Sequence, residues 1–198
     1  MTVVGIFCSS REASLFYEYA VIQSIALLYE FGYKKLSYGG GNSGLMGVVY
    51  KEARKHEMHI VGHNLERWSL PELDNEIVYA TLQERQSGLM NSSDMYLVFP
   101  GGVGTMYEFF QALCQNDVDH LNKPIILFNS YQIFDPLIEL FNGMIKMRIM
   151  DPHLVNFHVV TTIDELRIVL DYLTKNLVKN EIKNHSNNSL EHRLGDEL

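Results

Sequence analysis

The sequence predicts a doubly wound α/β fold, a parallel sheet with helices on both faces. Short apolar runs alternate with stretches whose apolar residues recur at helical spacing. One run, "DMYLVFP" (94–100), is almost continuously apolar, as a strand covered on both faces should be. Two glycine-rich turns stand where a strand gives way to a helix.

Taken in order, "VVGIF" (3–7) reads as a buried strand. A helix follows from Ala13 to Phe31, stopped by Gly32. "KLSY" gives a short strand, "GGGNSG" a tight turn, and Leu45 to His56 a second helix with basic residues near its end. "HIVG" is a third strand. The segment from Asn64 to Asn75 reads as irregular and holds the only tryptophan, Trp68, as a pocket-lining loop would. "EIVYA" precedes a helix opened by a capping box, Thr81 at the N-cap and Glu84 three residues on. After "DMYLVFP" come a helix from Met106 to about Cys114, the strand "PIILFN", a helix through "PLIELFNGMIKM", the strand "FHVV" and a helix from Ile163 to Leu177. The expected organisation is one nucleotide-binding domain over 1–177 and a polar, Asn-rich, loose tail over 178–198.

Bulk properties narrow the function. A chain of 198 residues with 46% hydrophobic content can bury one sizeable core. Its formal net charge of −8 comes from scattered acids, and no stripe of Lys or Arg tracks a phosphate backbone, so polymeric nucleic acid is not an expected partner. The start "MTVVGIFCSS" has neither a basic segment nor a long apolar run, and no stretch of 18 apolar residues occurs. The expectation is a soluble, cytoplasmic protein without membrane contact. On that expectation the terminal "GDEL" and the glycosylation-type tripeptides at Asn184 and Asn187 carry no weight. Cys8 and Cys114 lack metal-ligand spacing and read as small, reduced, buried side chains. His56, His59 and His63 fall on a helix end, a strand start and a loop, so they share no face for a metal.

The chemistry concentrates in the two turns, "YGGGNSGLMG" (38–47) and "FPGGVGT" (99–105). In an open parallel sheet ligands bind at such places. Glycine allows close backbone approach, and the free amides of the following helix can hold an anion. Two such turns could shape one phosphate crevice. Gly39, Gly41 and Gly44 also satisfy G-x-G-x-x-G, which raises a dinucleotide-dependent oxidoreductase. That motif ordinarily follows the first strand, whereas this one follows the second, and Glu66 is the nearest acid for a ribose. Gly39 and Gly44 have phosphate-loop spacing too, but Leu45-Met46 stands where Lys-Ser or Lys-Thr is needed, which disfavours a magnesium-dependent triphosphatase. Glu108 lies three residues after Thr105, a spacing that a capping box or a functional carboxylate would equally produce. Arg85, in the first turn of its helix, reads either as an exposed arginine or as part of the crevice.

Together "YGGGNSGLMG", Arg85 and "PGGVGTMYE" resemble the Lonely Guy family, whose members are often labelled lysine decarboxylases. The resemblance extends over most of the chain, to about Leu177. It implies a Rossmann-like fold and hydrolysis of nucleoside 5′-monophosphates, notably cytokinin ribotides, to free base and ribose 5-phosphate by a homodimer without metal or cofactor. It makes Arg85 and Glu108 the catalytic pair and assigns substrate and phosphate binding to Gly40, Gly41, Gln86, Gly101, Gly102, Val103, Gly104 and Thr105. A carboxylate suits this reaction because glycosidic cleavage builds positive charge on the sugar. Lysine decarboxylation would need a Schiff-base lysine, and neither turn holds a lysine.

The chain departs from the family pattern near the substrate. Gln86 follows the arginine where the family has lysine, Leu65 stands for a proline, the loop "CSSRE" is short, and Cys114 replaces a threonine. An additional family glutamate falls among Glu66, Glu72 and Glu76. These departures leave the base open and keep a second reading, a protein that binds a nucleotide or phosphorylated cofactor without turnover.

Overall fold

The computed structural model describes residues 2–70, 73 and 75–176. The tail from Val178, with its tripeptides and "GDEL", and the candidate Glu72 lie outside them. Seven strands form one sheet in the order β4-β3-β2-β1-β5-β6-β7. They are β1 (Val3–Phe7), β2 (Lys35–Tyr38), β3 (His59–Leu65), β4 (Glu76–Tyr79), β5 (Met95–Val98), β6 (Ile125–Phe128) and β7 (His158–Val160). Every pairing is parallel. The helices are α1 (Leu15–Glu30), α2 (Gly44–Lys55), α3 (Leu82–Asn91), α4 (Val103–Val118), α5 (Asp135–Lys146) and α6 (163–176).

From the central β1 the chain steps outward through β2 and β3 to β4, then returns to lay β5 on the other side of β1. The loops leaving β1 and β5 therefore turn to opposite faces and open a crevice between them, the place where doubly wound sheets bind ligands. Helix burial matches this winding. Ile25 of α1, Val49 of α2 and Leu170 of α6 pack into one apolar cluster. Leu89 of α3, Phe109 of α4 and Phe141 of α5 pack into the other. All four residues of β5 are buried, as its apolar run predicts.

Four expectations change. α1 starts at Leu15 because Ser14 acts as N-cap, its hydroxyl accepting from Phe16 N. β3 runs on to Leu65, so Asn64 is a strand residue paired opposite Val78. Its partner β4 is an edge strand with Ile77 and Val78 half exposed, which weakens any apolar signal. α4 begins at Val103 instead of Met106 and continues to Val118, so Gly104 and Thr105 form its first turn and Gly102 its N-cap. Cys8 is buried as expected, but Cys114 is exposed, on the outer face of α4. Among the described residues no helix is long and apolar enough to cross a membrane.

Candidate active site

A cleft of about 750 Å³ opens at the carboxyl ends of β1, β2 and β5. Its walls come from the loop 8–11, from Gly39 and Gly41, and from residues 102–105, with Arg85 and Glu108 also lining it.

Arg85 owes its position to the start of α3. Thr81 Oγ1 accepts from Glu84 N at 3.2 Å and the Glu84 carboxylate accepts from Thr81 N at 3.0 Å. This capping box fixes the helix origin, and one turn in, Arg85 points into the protein, only 5% exposed. Its guanidinium is used in three directions. Nε donates to His63 O at 2.8 Å, Nη2 to Gly39 O at 3.2 Å and Nη1 to Glu108 Oε1 at 3.4 Å. The reading of Arg85 as an exposed arginine is thereby corrected: a buried guanidinium needs partners, and two backbone carbonyls and a carboxylate supply them.

Glu108 sits in the second turn of α4 and is 3% exposed. Burial pushes its carboxyl up to about 7, against the opposing effects of Arg85 and of hydrogen bonds from Arg85 and Gln86. The 3.4 Å contact is too long to offset the loss of water fully. The carboxyl is consequently poised to exchange a proton near neutrality. Gln86 is itself buried, and its Oε1 has no hydrogen-bond partner, so its amide nitrogen faces Glu108. Cys8, beside the pair, has its thiol pushed far up by burial and by the Glu108 charge, which leaves it without nucleophilic character at neutral pH.

The expected residues divide. Arg85, Glu108, Gln86, Gly41, Gly102, Val103, Gly104 and Thr105 line the same cleft. Gly40 and Gly101 do not line it. Gly40 is buried behind the wall, where its carbonyl accepts from Asn64 Nδ2 at 3.0 Å, and Gly101 lies against Thr105. Asn64 also donates to Glu76 Oε1 at 2.5 Å, and Glu76 accepts from Ser69 Oγ at 2.6 Å and Leu70 N at 2.9 Å. Glu76 thus braces the loop after β3, and Glu66 is exposed on a short helical turn; neither lines the cleft.

Several lining residues were given no role by the sequence: Asn64, Leu82 and Tyr107, together with the side chains of the loop 8–11; Trp68, flagged in sequence as pocket-lining, does line the cleft. Asn64 could have been found as a polar residue two positions past the run "HIVG" (59–62), on the same strand. The histidines separate: His63 Nε2 meets Ser37 Oγ at 2.9 Å and its Nδ1 meets Tyr79 Oη at 2.9 Å, His56 meets Glu52 at 3.1 Å, and His59 is exposed. Burial, then the nearby Arg85 charge, pushes His63 down to about 4, so it is neutral at physiological pH. Among the described residues no group of three or more His, Cys, Asp or Glu could hold a metal.

Fold and site together define a Rossmann-like α/β protein with a buried arginine–glutamate pair at its switch-point crevice. Residues 41–173 match the family model described as possible lysine decarboxylase. The chain belongs to that family, the Lonely Guy family. It is 30% identical over 63% of its length to a probable cytokinin riboside 5′-monophosphate phosphoribohydrolase of Oryza sativa subsp. japonica, covering 56% of that protein. It is 33% identical over 59% of its length to the cytokinin riboside 5′-monophosphate phosphoribohydrolase of Mycobacterium tuberculosis, covering 65% of it. The chain thus spans less than two thirds of these relatives. Among solved structures, the molybdenum cofactor binding protein of Rippkaea orientalis is similar at 22% identity and TM-score 0.65, covering 87% of this chain and 96% of that one. The molybdenum cofactor carrier protein of Chlamydomonas reinhardtii follows at 18% and 0.66, covering 87% and 97%. At these identities the likeness shows the fold.

Proposed function

We propose that this protein hydrolyses the N-glycosidic bond of a nucleoside 5′-monophosphate, giving free base and ribose 5-phosphate. One observation carries the reading: the buried Arg85–Glu108 pair shares its cleft with the start of α4, whose N-cap Gly102 offers no side-chain cap. The first-turn amides of such a helix have no intrahelical partner, and they suit a phosphate. The names of the relatives support the same reaction class.

In this mechanism residues 102–105 hold the 5′-phosphate and the ribose lies toward Glu108. Water adds to C1′ as the C1′–N bond breaks. The bonding pair leaves with the base, which takes up a proton, and the second water proton passes to solvent. Glu108, as carboxylate, stabilises the cationic sugar or orients the water. Arg85 keeps Glu108 in place and balances its charge, while the half-exposed Trp68, Leu82 and Tyr107 offer apolar surface for the base. No lysine lines the cleft among the described residues, so decarboxylation through a Schiff base has no support there. The domain over 1–177 would act in the cytoplasm as a homodimer, the state that the family resemblance implies.

The test is release of base and ribose 5-phosphate from AMP, CMP and isopentenyladenosine 5′-monophosphate, followed by chromatography with Glu108→Gln in parallel. The expected outcome is turnover by the wild type, a loss on the order of 100-fold or more in the variant, and a rate that rises with pH through about 7 as Glu108 ionises. Saturable binding of a monophosphate with no turnover would replace this reading with a binding protein, the alternative that Gln86 in place of the family lysine keeps in view.

A further inference from the structure

Resting on that reading of the cleft, the geometry points to Arg11 as the residue that grips the substrate phosphate and makes the site select a phosphorylated ribose over an unphosphorylated one. The starting point is a charge imbalance. A bound phosphomonoester carries roughly −1.5 to −2 charges, and the start of a helix offers roughly +0.5. A cation is needed nearby, and among the described residues only Arg85 and Arg11 supply one to the cleft wall.

Arg85 is already committed. All three of its guanidinium nitrogens have acceptors within the protein, and its side chain is 6% exposed. Turning it toward a phosphate would strip Glu108 of its cationic partner, leaving it only the Gln86 amide, and would take the guanidinium donors from the carbonyls of His63 and Gly39. Arg11 is in the opposite state. It is exposed, it lines the cleft, and among the described residues its guanidinium has no hydrogen-bond or ion-pair partner.

Its backbone, by contrast, is tightly held. Arg11 N donates to Ser9 Oγ at 3.0 Å, and that hydroxyl returns to Arg11 O at 3.1 Å. Ser9 O accepts from Met46 N at 3.1 Å, and Ser10 O accepts from Ser43 Oγ at 2.8 Å, which ties the loop to the start of α2. Ser9 N donates to Pro100 O at 3.2 Å, which ties it to the turn that opens α4. A cation on a fixed backbone, unengaged and joined to the phosphate turn, breaks no existing contact and orders only its own side chain when it closes on an anion. Its bidentate fork also suits two phosphate oxygens, which the ammonium of a lysine matches less well.

The experiment measures binding of ribose 5-phosphate and of ribose by calorimetry for the wild type, Arg11→Ala and Arg11→Lys. Kinetics with a nucleoside 5′-monophosphate run alongside, and thermal melts check folding. Arg11→Ala is expected to weaken ribose 5-phosphate by about ten- to a hundredfold, to leave ribose unaffected, and to lower turnover efficiency through KM more than kcat. Arg11→Lys should recover part of the loss. Ribose 5-phosphate binding by Arg11→Ala within about twofold of wild type would overturn the assignment and leave the hydrolase reading standing. Wild-type binding without turnover, with the Arg11→Ala loss intact, would sink the hydrolase reading and keep Arg11 as the anchor. A wild type that binds no ribose 5-phosphate would overturn the assignment of Arg11, while the turnover measured alongside decides the hydrolase reading by itself.

Discussion

The two glycine turns look alike in sequence and differ in what surrounds them. In the first, Gly40 and Gly44 have φ of 75° and 56°, and a Cβ at Gly40 would come within 2.5 Å of Asn64 Nδ2, while one at Gly44 would run into the Arg11 carbonyl oxygen. At these two positions the space is filled by the protein itself, while Gly39 and Gly41 beside them line the cleft. In the second, a Cβ at Gly102 or Gly104 would meet nothing within 4 Å. Gly40 and Gly44 of the first turn permit packing, whereas Gly102 and Gly104 of the second leave open space where they line the cleft, with Gly101 alone packed against Thr105. A glycine motif therefore announces close approach without saying whether the approaching group is protein or ligand.

The sharpest way to break this contrast is Gly44→Ala, which adds a methyl group against the backbone at a left-handed position. Stability measured by urea unfolding should fall by about 3 kcal/mol or more. Next in size is Asn64→Ala, which leaves the buried Gly40 carbonyl without its side-chain donor and takes one of three donors from the Glu76 carboxylate. A loss of about 1–3 kcal/mol is expected, with loosening of the first turn visible as faster amide exchange at Gly39 to Gly41.

A pH titration of stability separates the two buried ionisable groups around Arg85. Glu108 has its folded value raised to about 7 from 4.5, so the stability it contributes is full at low pH and is lost as pH rises from about 4.5 through 7. His63 has its folded value lowered to about 4 from 6.5, so its contribution is present above about 6.5 and is lost as pH falls toward 4. The two slopes oppose each other across the shared window. Glu108→Gln should remove the first and leave stability rising with pH between about 4 and 6.5, read from unfolding midpoints at several pH values. Smallest in stability is Gly104→Ala, expected to leave it unchanged or raise it by up to about 1 kcal/mol, while KM for a monophosphate rises. A large loss of stability there would erase the distinction between the turns.

Much of this arrangement was legible in the sequence. Strand and helix alternation is carried by apolar spacing, and Thr81 with Glu84 marked the start of α3 down to both hydrogen bonds. What was not legible is what depends on neighbours distant in sequence. By spacing alone Arg85 read equally as a surface arginine or as part of the crevice, because its acceptors, His63 O, Gly39 O and Glu108, come from three other segments. β4 gave no clear strand signal because an edge strand need not be apolar on both faces. The start of α4 was placed late because Gly104 and Thr105 are poor helix formers, and the apolar pattern begins only after them. Asn64 was assigned to a loop for its polarity, although that polarity is what braces Gly40.

The most direct test of the division between the turns is amide NMR of the protein titrated with ribose 5-phosphate. Large shifts at Val103, Gly104 and Thr105, with Gly40 little changed, are the predicted result. Shifts concentrated over residues 39–44, with 103–105 silent, would contradict it and move the phosphate to the first turn.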